Sequence, residues 1–395
     1  MNLTLQSSLL LVPIEIRKDK KHYIVEDKTT GDFYEMPVIC IDAIHLINEG
    51  MTLGDIEKFL KSKYPHEEVD LVDFAGQLVE MQLIAELDGE TIDHKSRFSE
   101  QSGFLWVSPK LGTFFFNKVT YFVYVSLFII NLFLFISKPS LIPHYKDLFI
   151  FDYMMFNIPA WLLLTFGLVL FHEFGHVLAI RAQNLPTKLE VGHRLFFVVL
   201  ETDMSSVWKL PSKARNALYL AGLCFDTVML SIALMCQLLV TSDSEILLGI
   251  LNVIVLDTFI RMIYQCCIYM KTDLYYLFEN LTGCYNLMEN AQQLFRKWLP
   301  IGKAKTVLNN NVMFDEERKT VLFYTILYLI GVGLNVGLYI LYYIPQAVYS
   351  LKKVLPDFQE GPVSIPFWDA TLFMIQILLG IGLLLYSWRK KYLQN

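Results

Sequence analysis

His172 and His176 stand four residues apart, with Glu173 directly after the first, in the run FHEFGHVLAI. Residues four apart on a helix share a face, so two imidazole nitrogens can converge on one tetrahedral zinc while the carboxylate projects beside it. Zinc lowers the pKa of a bound water toward about 7, and a neighbouring carboxylate can take its proton during attack on a carbonyl and pass it to the leaving amine. This HExxH arrangement predicts one Zn2+ per chain held by His172 and His176, with Glu173 as the base of a peptide-bond hydrolysis. Gly175 inside the motif would let another backbone approach closely, or serve ordinary helix packing.

A catalytic zinc needs a third protein ligand and an open position. Asp273, Asp203, Asp226, Asp257 and His193 are the candidates in or near apolar stretches. Asp257 lies one turn before Arg261 in the same apolar run, which points to mutual neutralisation. Asp226 sits in another apolar run without a local partner, and reads equally as a group orienting a ligand histidine or as a packing residue. His193 and Asp203 fall in a polar loop, where a solvated side chain is the default.

Positioning such groups takes long helices, and the composition provides them. Of 395 residues, 54% are hydrophobic, more than a soluble core normally needs. The first hundred residues are of ordinary polarity; from about residue 119 long apolar runs alternate with short polar ones. Six stretches reach the about 20 residues that a helix needs to cross a bilayer: 119–137, 155–182, 217–240, 246–270, 321–344 and 368–388. The loop after the second holds Arg181, Lys188, Arg194, Lys209, Lys213 and Arg215; the loop after the fourth holds Lys271, Arg296, Lys297, Lys303, Lys305, Arg318 and Lys319. TSDSE after the third holds no Lys or Arg, and the other two intervening loops hold two Lys each. By the positive-inside rule both basic loops and both termini are cytoplasmic. The HExxH helix and the fourth stretch then run the same way, which puts His172, His176 and Asp273 at one depth. On that ground Asp273 is the preferred third ligand.

Other features narrow the class. MNLTLQSSLLLVPIEIRKDKK has a short apolar patch, no basic residue ahead of it and no small-residue cleavage site, unlike a signal peptide. Cys40, Cys224, Cys236, Cys266, Cys267 and Cys284 include no CxxC pair, so no disulfide framework or zinc knuckle is expected. A net charge of −6 gives no reason to expect nucleic acid.

FHEFGHVLAI, then ETDMSSVWKLPSKARNALYLAG, then MKTDLYYLFENLTGCYNL resemble, in order and over about residues 155–290, the site-2 protease class of intramembrane metalloproteases. More closely they resemble its bacterial peptide zinc metalloprotease branch, linked to ribosomally made modified peptides and their export. The resemblance implies a place in the bacterial cytoplasmic membrane. It also implies that the third ligand is the aspartate of an LDGYY-like motif, here Asp273, and that Asp203 and Trp208 belong to a signature following the zinc helix. Two departures stand out. Leu274 replaces the usual glycine after the ligand, and Cys267 and Ile268 replace an Asn-Pro pair whose asparagine is thought to hold the substrate strand or the developing oxyanion.

In the N-terminal part, HYIVEDKTTGDFYEMP reads as two strands around a Thr-Gly turn, followed by helical spacing in VICIDAIHLINEG, MTLGDIEKFLKSKY and EVDLVDFAGQLVEMQLI. Thr52 with Asp55 three residues on is a helix-start signal of the capping-box kind. A hairpin plus three helices predicts a small winged-helix-like α+β domain, whose plainest role is to stabilise or regulate the rest. The order of elements resembles the PqqD-type domains that bind leader peptides of ribosomal natural products, which implies an extended peptide on the hairpin edge. The expected fold is thus mainly α: a polytopic membrane protein with six transmembrane helices plus that small domain. The expected boundaries are 1–90 for the recognition domain, 91–118 for a linker with the interfacial aromatics Phe114, Phe115 and Phe116, and 119–395 for the membrane metalloprotease.

Two functions follow. The first is an intramembrane zinc endopeptidase cleaving a small modified peptide of bacteriocin or signalling type, working beside an export transporter or a peptide-modifying enzyme. The second is a non-proteolytic membrane factor that binds such a peptide for export or immunity; the departures at Cys267 and Leu274 favour it, whereas retention of Glu173 speaks for the first. A transporter would call for internal repeats, and none is found.

Overall fold

The computed structural model describes residues 3–20, 22–92, 103–194, 197–239, 244–284, 287–298 and 318–393. It divides into two compact units, Met1–Ser102 with Met204–Ser212, and Gly103–Asp203 with Lys213–Asn395.

In the first unit, β1 (Leu9–Leu11) and β2 (Ile14–Asp19) precede the expected hairpin, β3 (His22–Asp27) and β4 (Phe33–Met36). The turn forms because Asp27 accepts from the Thr29 amide at 2.7 Å and the Thr30 hydroxyl at 3.0 Å, and Gly31 takes a φ of +78°. Alternation of Ile14 and Ile16 gives β2 an apolar face, and it adds to the hairpin in the order β2-β3-β4. Helices α1 (Val38–Asn48), α2 (Leu53–Lys63) and α3 (Leu71–Glu80) follow. Thr52 accepts from the Asp55 amide at 3.3 Å and starts α2; Asp70 does the same for α3 with Val72 and Asp73. Val25, Ile44, Ile56, Ala75, Leu78 and Ile84 are fully buried between sheet and helices. Each large one contributes about 1.5–3 kcal/mol.

After α3 the chain adds two short strands that close the unit: β5 (Ile84–Leu87) pairs with β1 and with β6 (Glu90–Thr91), which ends where the linker was expected to begin. Residues 93–102, within the expected linker, lie outside the described residues. Met204–Ser212 packs with this unit rather than with its sequence neighbours. The Arg17 guanidinium donates to the carbonyls of Trp208 and Lys209, and the Lys209 ammonium lies 3.5 Å from Glu26.

Early in the second unit comes α4 (Pro109–Phe115), a short helix within the stretch expected as a linker with interfacial aromatics. A Cβ on Gly112 would meet the Leu178 carbonyl and the Ala182 backbone, so glycine there lets α4 lie directly on α6 (Met154–Ala182). Phe114 is exposed, but Phe116 turns inward and stacks on Phe225 at 5.9 Å.

Among the described residues, six helices are long and apolar enough to cross a membrane. They are α5 (Lys118–Ser137), α6, the pair α7 (Ser212–Tyr219) and α8 (Ala221–Leu239), α9 (Glu245–Gln265), α12 (Arg318–Leu338) with its continuation, and α14 (Ile365–Leu393). Two short helices, α10 (Asp273–Thr282) and α11 (Leu287–Trp298), follow α9. The fifth span does not stop at 344 as expected; it runs on through α13 (Ile344–Val354). Pro345 has no N–H for the Leu341 carbonyl, and a π turn over Tyr339–Tyr343 widens the helix so that it passes the proline. Most of TSDSE and all of 299–317, the middle of the second basic loop, lie outside the described residues.

The start of α6 is held by α14. Asp369 accepts from the Met154 and Met155 amides at 2.8 and 2.7 Å, filling two of the helix's orphan donors. Pro159 leaves the Met155 carbonyl without its helical donor, and the Gln376 amide supplies one at 3.0 Å. This anchors the N-terminal end of the helix that carries HExxH.

Candidate metal centre

His172, Glu173 and His176 lie buried in the C-terminal half of α6. The two Nε2 atoms converge on Asp273 at the first turn of α10: Oδ2 is 3.1 Å from His172 Nε2 and 3.3 Å from His176 Nε2. The three donor atoms lie within 4.8 Å of one another, the one such group among the described residues. Two donors each about 2.0–2.2 Å from a tetrahedral zinc stand about 3.4 Å apart, so the spacing suits a small ion with two nitrogen ligands and one oxygen ligand.

The outer nitrogens are fixed as well. His172 Nδ1–H donates to Asp226 Oδ2 on α8 at 2.8 Å, and His176 Nδ1–H donates to the Leu218 carbonyl at 3.0 Å. Leu218 is in the last turn of α7, where the break at Leu220 interrupts the helical ladder. Both rings are thereby set with the Nε2 lone pair toward Asp273. Asp226 is not isolated as its sequence context suggested. Its Oδ1 lies 3.4 Å from Arg261 Nε, and Arg261 also lies 3.4 Å from Asp257, which accepts from the Thr165 hydroxyl at 2.6 Å. Asp226 thus touches His172 on one side, and on the other Arg261 lies between two aspartates.

Two glycines of α6 and α8 (Gly175 and Gly222) let these groups meet. A Cβ on Gly175 would come to 2.9 Å from the Ala221 carbonyl and 3.0 Å from Phe225, so the two helices are in backbone contact there. A Cβ on Gly222 would occupy the space in front of His172 Nε2 and His176 Nε2. That cradle is a position where a side chain would exclude an ion.

Three contributors have no signal in the sequence pattern. Gln265, the last residue of α9, grips Asp273 from both sides: its amide donates to Oδ2 at 2.9 Å and its Oε1 accepts from the Asp273 N–H at 3.1 Å. Thr202 ends the hairpin of β7 (Leu189–Arg194) and β8 (Phe197–Thr202) and binds the Glu173 carboxylate. Gly222 is the third. Asp203, one residue past Thr202, is tied through its backbone: its N–H donates to the Lys188 carbonyl at 2.8 Å and its carbonyl accepts from the Thr187 hydroxyl at 2.8 Å. It is not part of the His172, His176, Asp273 group. His193 pairs with Val198 in the hairpin, and its side chain lies outside the described ones. Trp208 lies in the first unit.

The departures from the family pattern take a concrete form. Leu274 lies in the first turn of α10 without a positive φ, so nothing in its backbone requires glycine. The left-handed residue of this corner is Lys271, φ +53°, which turns the chain between α9 and α10. Cys267 is buried, its thiol 3.4 Å from the Gly331 carbonyl.

Outside the spanning segments, α10 also carries Glu279, which accepts from the Tyr275 hydroxyl at 2.5 Å. Burial pushes its carboxyl up from 4.5 to about 7, against the opposing pull of Tyr275 and Lys271. A carboxyl held above its unfolded value binds its proton more tightly when folded, so this contribution is complete below about pH 4.5 and is lost as pH rises through about 7. Glu279→Gln is expected to flatten the fall in unfolding free energy between about pH 5 and pH 8, by up to roughly 3 kcal/mol at the alkaline end. Equal slopes for wild type and variant would refute it.

Compared with protein-family models, curated proteins and solved structures, the chain finds no match in any of the three.

Proposed function

We propose that this chain is an intramembrane zinc endopeptidase of the site-2 protease class, acting on a small peptide or membrane-associated precursor. The observation that carries the reading is the convergence of His172 Nε2, His176 Nε2 and Asp273 Oδ2 next to a buried glutamate in a bundle of apolar helices. Those three residues would hold the ion. Zinc there would supply Lewis acidity, activating water near neutral pH and polarising the scissile carbonyl. Glu173 would accept the proton of the attacking water and return it to the leaving nitrogen. Asp226 and the Leu218 carbonyl keep both histidines in the ligating tautomer, and Gln265 keeps Asp273 turned toward them.

A peptide bond within a helix is shielded by its own hydrogen bonds, so the substrate must be extended where it is cut. The Thr202 N–H turns away from β7 to reach Glu173, and strand alternation makes Leu200 turn its N–H and carbonyl outward too. This edge of β8 suits an added peptide strand leading to Glu173. The winged-helix-like unit, read as a PqqD-type domain, would recruit a leader peptide of a ribosomally made bacteriocin or signalling precursor. Lysine and arginine placement supports a multi-pass orientation with the site toward the cytoplasmic face of a bacterial membrane.

The test is metal content and cleavage of the full chain in detergent, using small precursor peptides with and without their leaders. The reading requires about one zinc per chain and cleavage that a chelator stops and added zinc restores. A protein that keeps zinc and binds peptides but cuts none is the export or immunity factor instead.

A further inference from the structure

Glu173 is buried on a helix with no titratable partner on its own face except the two ligand histidines, so its carboxylate has to be aimed by something else. Thr202 does this with two donors from one residue. Its backbone N–H reaches Glu173 Oε2 at 2.9 Å and its hydroxyl reaches the same oxygen at 2.8 Å, with the Glu173 carbonyl 3.2 Å from that hydroxyl. Thr202 is buried, and its place is fixed from behind: it stands opposite Leu189 in the hairpin, and Asp203 beside it is bound at both its N–H and its carbonyl.

We propose that Thr202 is the positioning residue of the catalytic base, holding Glu173 by Oε2 so that Oε1 is the oxygen that takes and returns the proton. The proposal rests on the hydrolase reading. A base that exchanges protons through one oxygen works best when the other is committed to donors that do not leave, because the rotamer is then set before substrate arrives. Threonine suits the position on both counts. Its β-branch fits a strand, and its hydroxyl adds a donor that the backbone of any residue would lack. The hairpin thus has a second task beyond offering an edge: its last residue aims the base.

The experiment uses the zinc-loaded full chain as wild type, Thr202→Val, Thr202→Ser, Glu173→Gln and the double variant Glu173→Gln/Thr202→Val. Two readouts are taken, peptide cleavage and calorimetric affinity for a peptide hydroxamate, a chelator whose acidic proton is taken by a carboxylate beside the metal. Thr202→Val should keep its zinc and KM within about twofold, and lose about tenfold to a hundredfold in both kcat and hydroxamate affinity, the effect of one hydrogen bond to a charged group. Thr202→Ser should restore both. In the Glu173→Gln background the valine should cost nothing further, since Thr202 acts through Glu173. A wild-type value for Thr202→Val, a serine variant as weak as the valine, or additive losses in the double variant would each overturn the proposal. If the wild type binds zinc and hydroxamate but cleaves nothing, the hydrolase reading fails alone, and the affinity series still decides whether Thr202 aims Glu173. A wild type that takes up no zinc removes both.

Discussion

Glu173→Gln is expected to bind zinc as the wild type does and to cleave about 10²- to 10⁴-fold more slowly, the range for loss of a general base. The two halves of this outcome come from different atoms. The donors that would hold the ion are His172 Nε2, His176 Nε2 and Asp273 Oδ2, and Glu173 is not one of them. Glutamine keeps the shape of the side chain and an oxygen that can accept from the Thr202 N–H and hydroxyl, so the fold around α6 and β8 has no reason to change. It cannot take a proton at neutral pH. Zinc content by metal analysis and a progress curve on a cleavable peptide check the two halves separately. Undiminished cleavage would show that another group is the base; loss of zinc would show that Glu173 supports the metal, and either result would end the assignment of Glu173 made from the motif.

How much of this site could be read beforehand depends on the range over which each determinant acts. The pairing of His172 with His176 follows from helical periodicity alone, and the nearness of Asp273 follows from counting lysines and arginines in loops, which needs no tertiary detail. Thr202, Gln265 and Gly222 were not legible, because each matters only through a crossing of elements distant in sequence. A glutamine at the end of an apolar helix has no pattern to distinguish it, and a glycine in such a helix usually means close packing. Asp203 drew attention by its charge, whereas its uncharged neighbour Thr202 makes the contact with Glu173. In the N-terminal part the hairpin and three helices announced themselves through a Thr-Gly turn and spacing of apolar residues, while β1, β5 and β6 are too short for periodicity to register, and β1 meets β5 only by pairing across more than seventy residues. The break between α7 and α8 was hidden inside one apolar run, although the Leu218 carbonyl next to it orients His176. Leu274 taught the opposite lesson. Its departure from a family glycine counted against activity, yet the backbone there is plain helix.

Gly222→Ala is expected to abolish zinc binding while leaving the bundle folded, a loss beyond the about 10- to 100-fold in affinity typical of changes outside the ligand set. One methyl group has this effect because of where it would stand, close against both ligating Nε2 atoms. Retreat of α8 could in principle make room, but Gly175 already brings α6 within contact of the Ala221 carbonyl, and Phe225 one turn on is packed against Phe116 and Phe171. The rings cannot swing aside without giving up the bonds from Nδ1 to Asp226 and Leu218. The methyl therefore displaces the ion or the ligands, and either way the tetrahedral set is broken. Alanine is a better helix former than glycine, so the helix itself should not suffer. Metal analysis of purified Gly222→Ala, with a melting curve taken alongside and wild type dialysed against chelator as the reference, distinguishes a lost site from a lost fold. A Gly222→Ala protein that melts like metal-free wild type and carries no zinc confirms the cradle. One that holds a full equivalent of zinc places the ion elsewhere, and with it the chemistry assigned to His172, His176 and Asp273.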